Sequence, residues 1–433
     1  MTEEDAMTRS TRLDRAAATR ERIVTAAREL FVAQGYRSTS LRDIAAAASV
    51  SHPGLLGHFA SKDDLLAEVV ARFEEDNADA LADLQAAAEP GSLIFTELAA
   101  RNARTPGYLQ LFAALTGEAS APNHPAHQRM RERYATMRTL SAEMLQDAVD
   151  HGVISPDRDL DGETIRFMAG WDGLQLLSQY LPARVDVGGM LEEREALWAM
   201  PPGWRSPEED EENAERVPAA SLPAPLFAPP LGGEDGYAVG RRRRAQILAD
   251  AMRLFSRSGY GDTSLRDIAD AVGVSKSALL HHYPSKEALL SAVLAERDSA
   301  IRERSAVTGL SSAADMLRSL DQGARASARE EPGLIEVYAV LSCEAVPNGH
   351  PAHDYFAERF SRGIDYFADL FRLAQRDGDL PEHRDPDHEA VWLLALWDGL
   401  QYQWLYDRVA VDVGSHLRAH LDDVLPVRQV ART

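Results

Sequence analysis

The sequence predicts an all-α fold in which one helical unit occurs twice in tandem. Three observations carry this. The segment TSLRDIA stands at Thr39–Ala45 and again at Thr263–Ala269. Residues 20–70 align with residues 244–294 without a gap at an offset of 224, and about half of the positions match. Within each copy, apolar residues recur at helical spacing between capping signals.

The repeat extends beyond that block at an offset of 226. Thr105-Pro106-Gly107 faces Glu331-Pro332-Gly333, HPAH at His124–His127 faces His350–His353, WDGLQ at Trp171–Gln175 faces Trp397–Gln401, and VDVG at Val185–Gly188 faces Val411–Gly414. A change of offset by two residues is one small indel, so the whole unit is duplicated. Two copies of about 200 residues are too long and too few for a solenoid. Between them, residues 204–236 are acidic, then rich in Pro and Ala, then rich in Gly, with no surviving period. That composition predicts a linker, partly extended polyproline II.

The first helix of each copy follows from Ile23, Ala26, Ala27, Leu30 and Phe31, and from Ile247, Ala251, Leu254 and Phe255. Gly35 and Gly259 are placed to stop it. Ser40 with Asp43, and Ser264 with Asp267, have capping-box spacing and predict a short helix through TSLRDIA. It ends near Ser49 and Gly273, after which Ser51 and Ser275 cap a further short helix. Helix, short helix, tight turn and short helix is the helix-turn-helix layout, whose last helix enters the major groove. An ordinary helical hairpin has the same outline.

Charge supports the former reading locally. The net charge of −22 argues against nucleic acid when taken over the whole chain. Residues 9–43 nevertheless carry Arg9, Arg12, Arg15, Arg20, Arg22, Arg28, Arg37 and Arg42 against four acids. The second copy opens with Arg241–Arg244 and continues through Arg253, Arg257 and Arg266. The only lysines, Lys62, Lys276 and Lys286, all follow shortly after a TSLRDIA segment. Lys62 and Lys286 stand at first helical positions after Ser61 and Ser285, where a cation opposes the helix dipole unless an anion docks there.

TSLRDIA followed by GVSKSALLHHYPSKEALL resembles the DNA-binding domain of TetR-family transcriptional regulators, and the first copy is a more divergent version of it. WDGLQ resembles part of the ligand-binding domain of some members. The resemblance covers nearly the whole chain outside the N-terminal tail and the linker. It implies two all-helical units, each a helix-turn-helix domain followed by a helical ligand-binding and dimerisation domain, packed as a pseudodimer within one chain. The boundaries are 18–64 and 240–288 for the DNA-binding domains, 65–203 and 289–425 for the ligand-binding domains, and 204–236 for the linker.

Position by position, the resemblance implies DNA contacts by Arg42 and Arg266 before the turn. His52, Gly54, Lys276 and Ser277 are expected to face the groove, His58 and His282 to lie near the DNA backbone, and Lys62 and Lys286 to hold phosphates. Members often have a phosphate-contacting tyrosine where this chain has Leu56 and Leu280. The turn glycine is Gly273 in copy two but Ser49 in copy one. Pro53 fits a first helical turn, whereas Gly57 weakens a helix by up to about 1 kcal/mol relative to Ala. Unequal halves and an imperfectly palindromic operator are therefore expected.

In the ligand-binding domains, Phe112, Phe167, Trp171, Gln175, Tyr338, Trp397 and Gln401 are the candidate effector contacts. Aromatic residues at helical spacing also serve as plain core. Asp172, Gln175, Asp398 and Gln401 are polar on an otherwise apolar helix and need partners if buried. HPAH lacks a third ligand at a telling spacing, so no metal is expected. No Gly-rich phosphate loop, GxSxG or HExxH occurs, and no cofactor or enzymatic activity is expected. The single cysteine, Cys343, reads as a small core residue in a reducing cytoplasm.

These readings predict a cytoplasmic DNA-binding regulator, a repressor released from its operator by a small molecule, acting as a monomeric pseudodimer with no membrane segment. The alternative is a ligand-binding or scaffold protein of the same fold that has lost DNA recognition. Steep salt dependence of DNA binding separates the two.

Overall fold

The computed structural model describes residues 3–36, 38–206, 209, 222–223, 238–305, 312–330 and 332–427. All regular elements among them are helices. The predicted linker lies mostly outside the described residues. Its first residues are docked on copy two: Arg205 donates to the Gly378 carbonyl at 2.8 Å and Trp204 packs against His383.

In copy one, α1 (Glu3–Gln34), α2 (Leu41–Ala47) and α3 (His52–Leu56) form the head, and α4 (Lys62–Ala87) leads away from it. Next come α5 (Phe95–Arg104), α6 (Tyr108–Glu118), α7 (His127–Asp150), α8 (Leu160–Tyr180) and α9 (Val187–Leu197). Copy two repeats the order with α10 (Ala238–Asp262), α11 (Leu265–Val272), α12 (Lys276–His282) and α13 (Lys286–Ser305). It continues with α14 (Ala313–Arg318), α15 (Leu320–Glu330), α16 (Pro332–Glu344), α17 (His353–Arg376), α18 (Pro386–Tyr406) and α19 (Val413–Val424). Helical geometry in α10 breaks at Gly259, whose φ is 72°, where the sequence places the stop. Gly35 does the same after α1 with φ 82°.

The two copies join along α8 and α18, and again along α6 and α16. Glycine permits the first contact. A β-carbon on Gly173 would lie 2.0 Å from the Ala395 carbonyl oxygen, and one on Gly399 would lie 1.8 Å from that of Ala169. These contacts exchange under the offset of 226, which is the reciprocity of a two-fold interface. The polar contacts exchange too. Tyr180 donates to the Ser342 carbonyl at 2.5 Å, and Tyr406 donates to that of Thr116 at 2.9 Å. Tyr180 stacks on His353 and Tyr406 on His127. The pseudodimer is thus an interior, with Tyr406 of copy two buried in the core of the first head and its supporting helices.

HPAH has a structural role at this interface. His124 Nδ1 accepts from the Ala126 amide at 3.1 Å, and His350 Nδ1 accepts from Ala352 at 3.2 Å. His127 and His353 bond the carbonyls of Ala119 and Ala345. Among the described residues no group of three His, Cys, Asp or Glu side chains is placed to hold a metal ion. No described helix is long and apolar enough to cross a membrane.

Candidate nucleic-acid interface and effector cavity

Each head is built on the same local chemistry. The Ser40 hydroxyl accepts from the Asp43 amide at 3.2 Å while the Asp43 carboxylate accepts from the Ser40 amide at 3.1 Å. Ser264 and Asp267 repeat the pair at 3.2 and 2.8 Å. These bonds from the serines hold both carboxyls below the usual carboxylate range. The turn that follows closes identically: the Val50 amide donates to the Ala45 carbonyl at 2.9 Å, and Val274 donates to Ala269 at 2.9 Å. Gly273 supplies φ 73° for this turn, and Ser49 adopts φ 54° in its place. The non-glycine residue in copy one keeps the turn and bears the strain.

Leu55 and Leu279 are fully buried and seat α3 and α12 on their heads. That leaves the opposite face outward. Arg42, Gly54, Arg266, Lys276 and Ser277 are exposed, while His52, His58 and His282 are half-buried. The second recognition helix is the longer. α12 runs from Lys276 to His282, whereas α3 ends at Leu56 with Gly57 as its cap. His58 therefore falls past the end of its helix, and Leu56 is exposed beside it. In copy two, burial together with His281, Arg244 and Arg243 pushes the His282 imidazole below its ordinary range.

Lys62 and Lys286 have protein partners. Lys62 Nζ donates to the carbonyls of Tyr36 at 3.0 Å and Thr39 at 2.9 Å, and sits 4.3 Å from the Tyr36 ring centroid. Lys286 Nζ reaches the Gly261 carbonyl at 3.3 Å and the Tyr260 ring at 4.1 Å. Acceptors at the junction between the first and second helices thus account for a cation at a helix start. The dipole argument does not require a phosphate there.

The heads are held from behind by two equivalent glutamates. Glu344, at the end of α16, accepts from the amides of Tyr260 at 2.6 Å and Gly261 at 2.5 Å. Glu118, at the end of α6, is buried beside Gly35, where a β-carbon would lie 3.4 Å from its Oε1. Both helices run on into the helical domain behind each head.

Copy one holds a partly open cavity of about 90 Å³. Of the sequence candidates, Phe112, Trp171 and Gln175 line it. Phe167 does not; it packs against Phe95 and Trp198, each with ring centroids 4.8 Å away. In copy two, Tyr338 is buried against Phe356, and Gln401 is buried with no partner for its Oε1 among the described residues. Trp397 is half-buried against the same core. The sequence reading missed Arg133, Asn102, Cys343 and Tyr402. The last two come from copy two, so only the fold brings them to this cavity.

The mostly apolar wall of the cavity also carries polar side chains. Tyr134 donates to Asp172 at 2.9 Å, and Arg133 donates to the Tyr108 hydroxyl at 3.0 Å. Burial raises the Asp172 carboxyl to about 6, against the lowering effects of Tyr134 and Arg133. The buried Asn102 Oδ1 and Trp171 Nε1 have no hydrogen-bond partner among the described residues. Met130, Met137, Met144 and Met168 make up much of the remaining wall.

Comparison with known proteins places both heads. The family model "Bacterial regulatory proteins, tetR family" matches residues 23–69 and again residues 247–293. The chain is 37% identical over 96 residues to the HTH-type transcriptional repressor Rv1474c of Mycobacterium tuberculosis, covering 22% of this chain and 49% of that protein. It is 47% identical over 62 residues to the HTH-type transcriptional regulator RutR of Escherichia coli, covering 14% of this chain and 29% of that one. The chain thus spans half or less of these relatives. A solved Rhodococcus sp. chain described as a TetR-family transcriptional regulator is 28% identical, with a TM-score of 0.36, covering 43% of this chain and 99% of that one.

Proposed function

From the premise that the chain is a TetR-family protein carrying the family's DNA-binding domain twice, we propose that it is a sequence-specific transcriptional regulator. In this reading it is a repressor that a small molecule releases from its operator, and one chain supplies both heads of the operator-bound unit. The observation that carries it is the linkage of heads to cavity. Phe112, Ala113 and Thr116 on α6 line the cavity, as does Cys343 on α16. The next residues along those helices include Glu118 and Glu344, which lie against the first head and grip the second.

A molecule that enters the cavity changes how α6 sits on α16, and thereby how the two heads are spaced. It weakens DNA binding only by the difference in its affinity for the two arrangements. DNA must weaken effector binding by the same factor.

Arg42, Arg266, Lys276 and Ser277 are the proposed DNA contacts, with His52, Gly54, His58 and His282 at the margins of the two recognition helices. Lys62 and Lys286 act by bracing the junction that positions them. Copy one presents no lysine or arginine on α3, so copy two is the stronger reader and the operator an imperfect palindrome.

Selection of bound sequences from random duplex DNA tests this. Two half-sites at a fixed spacing, one better defined, support the reading. One half-site alone means that copy one has stopped reading bases. No enrichment at low salt overturns the regulator reading in favour of a ligand-binding protein.

A further inference from the structure

We infer that the chain takes one effector, not two, and that this effector is an apolar molecule with an anionic head that Arg133 recognises. The inference rests on the effector-responsive reading of the cavity and assigns its stoichiometry and ligand class.

The asymmetry lies in side-chain volume. At the offset of 226, Met130 corresponds to Phe356, Leu140 to Tyr366, Ser141 to Phe367 and Leu176 to Tyr402. Every one of these exchanges puts a larger side chain in copy two. Phe356, Phe367 and Tyr402 are buried there, and Phe356 packs edge-on against Tyr338 at 5.4 Å. Among the described residues, rings of copy two thus stand at four positions where copy one has smaller side chains, while Tyr108 to Leu334 and Met137 to Gly363 run the other way. Tyr402 also lines the copy-one cavity from across the interface, so the duplicated half serves as wall for its neighbour.

The ligand class follows from the charge partners of one arginine in each copy. Arg359 of copy two is ion-paired to Asp298, which also accepts from Tyr355 at 2.8 Å. Its counterpart Arg133 has no carboxylate within ion-pair distance among the described residues. Glu74, which corresponds to Asp298 at the offset of 224, is held by Arg129 at 2.5 Å, and Asp172 is held by Tyr134 at 2.9 Å. Arg133 has instead the Tyr108 hydroxyl and the face of Phe112, 4.5 Å from its guanidinium carbon. A guanidinium that lines an apolar cavity without an ion pair suits a carboxylate or similar anion, which it can bind in a two-pronged manner. The methionine walls adapt to the apolar body.

Calorimetric titration of the full chain with 1-anilinonaphthalene-8-sulfonate and with N-phenyl-1-naphthylamine tests both parts. The two probes share one apolar body and differ in a fixed negative charge. One site per chain is expected for each. Met130→Phe with Ser141→Phe, which copies the second half into the first, is expected to abolish it. Arg133→Met is expected to weaken the sulfonate about tenfold or more, as loss of a charge-assisted bond should, and the neutral probe by less than about twofold.

Arg133→Met leaves the cavity walls in place and so decides the ligand class even if the double variant fails to fold. Two equivalent sites per chain, or no site for either probe, overturn the stoichiometry. A site that survives in a folded double variant does the same. Equal loss of both probes in Arg133→Met overturns the anion. The regulator reading fails by a different measurement, since duplex selection uses the probe-free chain.

Discussion

Gly117 and Cys343 occupy the same position in the two copies and meet each other at the pseudo-dyad. A β-carbon on Gly117 would lie 2.6 Å from Cys343 Cβ and 2.5 Å from the Ala339 carbonyl oxygen. In a homodimer this position would face itself, glycine against glycine or cysteine against cysteine. Fusion into one chain lets one half supply the hole and the other the knob. Gly170 likewise leaves room for Trp392 of copy two, with a β-carbon on the glycine 2.6 Å from the indole, but these two positions are not equivalent: at the offset of 226 Gly170 corresponds to Leu396.

Restoring symmetry there is expected to destabilise the protein. Gly117→Cys overpacks the α6–α16 crossing and should cost about 1–3 kcal/mol. The exchanged pair Gly117→Cys with Cys343→Gly should recover most of that loss, because the knob and hole are then only reversed. Urea unfolding of the two single variants and the double variant measures this. Gly333→Ala, where a β-carbon meets nothing within 4 Å, is the matched control.

Ser49 predicts a gain. Its left-handed φ of 54° costs a non-glycine residue about 1–2 kcal/mol, and the equivalent Gly273 avoids that cost. Ser49→Gly should raise stability by about 0.5–1 kcal/mol after the extra chain entropy of glycine is deducted. Gly273→Ser should lower it by a similar amount. Thermal unfolding of both variants reads the opposite signs.

Asp172 predicts a pH dependence. Its carboxyl is raised to about 6 from an unfolded value of 3.8, with burial as the main cause. The folded state therefore holds the proton more tightly than the unfolded state. The favourable contribution is complete below pH 3.8 and is lost as pH rises through about 6. Asp172→Asn removes this loss, so it should stabilise the protein above about pH 6 and leave it unchanged near pH 4. The difference should be at most about 3 kcal/mol. Urea unfolding of the wild type and variant from pH 4 to 7 checks the window.

The two heads should differ in their response to salt. Lys276→Ala should weaken binding to all duplexes and reduce the slope of log affinity against log salt by about 1, as Arg42→Ala and Arg266→Ala each should. His52 takes the place of Lys276 in copy one, so His52→Ala should change the slope less than Lys276→Ala does. Fluorescence anisotropy on a labelled duplex over a range of salt measures each slope.

The sequence by itself determined the duplication, the helical class and the local build of both heads. Those features depend on residues close together in the chain: Ser40 with Asp43, Gly35 after α1, Ser51 before α3. The signal that copy one is the divergent half was also local, in Ser49, Pro53 and Gly57. Capping and turn chemistry act within a few residues, so reading along the chain finds them. Tertiary structure decided the rest. It placed Cys343 and Tyr402 in the cavity of the opposite copy, held Lys62 and Lys286 on carbonyls at the head junction, and turned Phe167 away from the cavity. It also made the glycines of WDGLQ the contact surface between the copies. Each of these depends on which helix faces which across the pseudo-dyad, a relation set by side-chain volume hundreds of residues apart and carried by no local pattern.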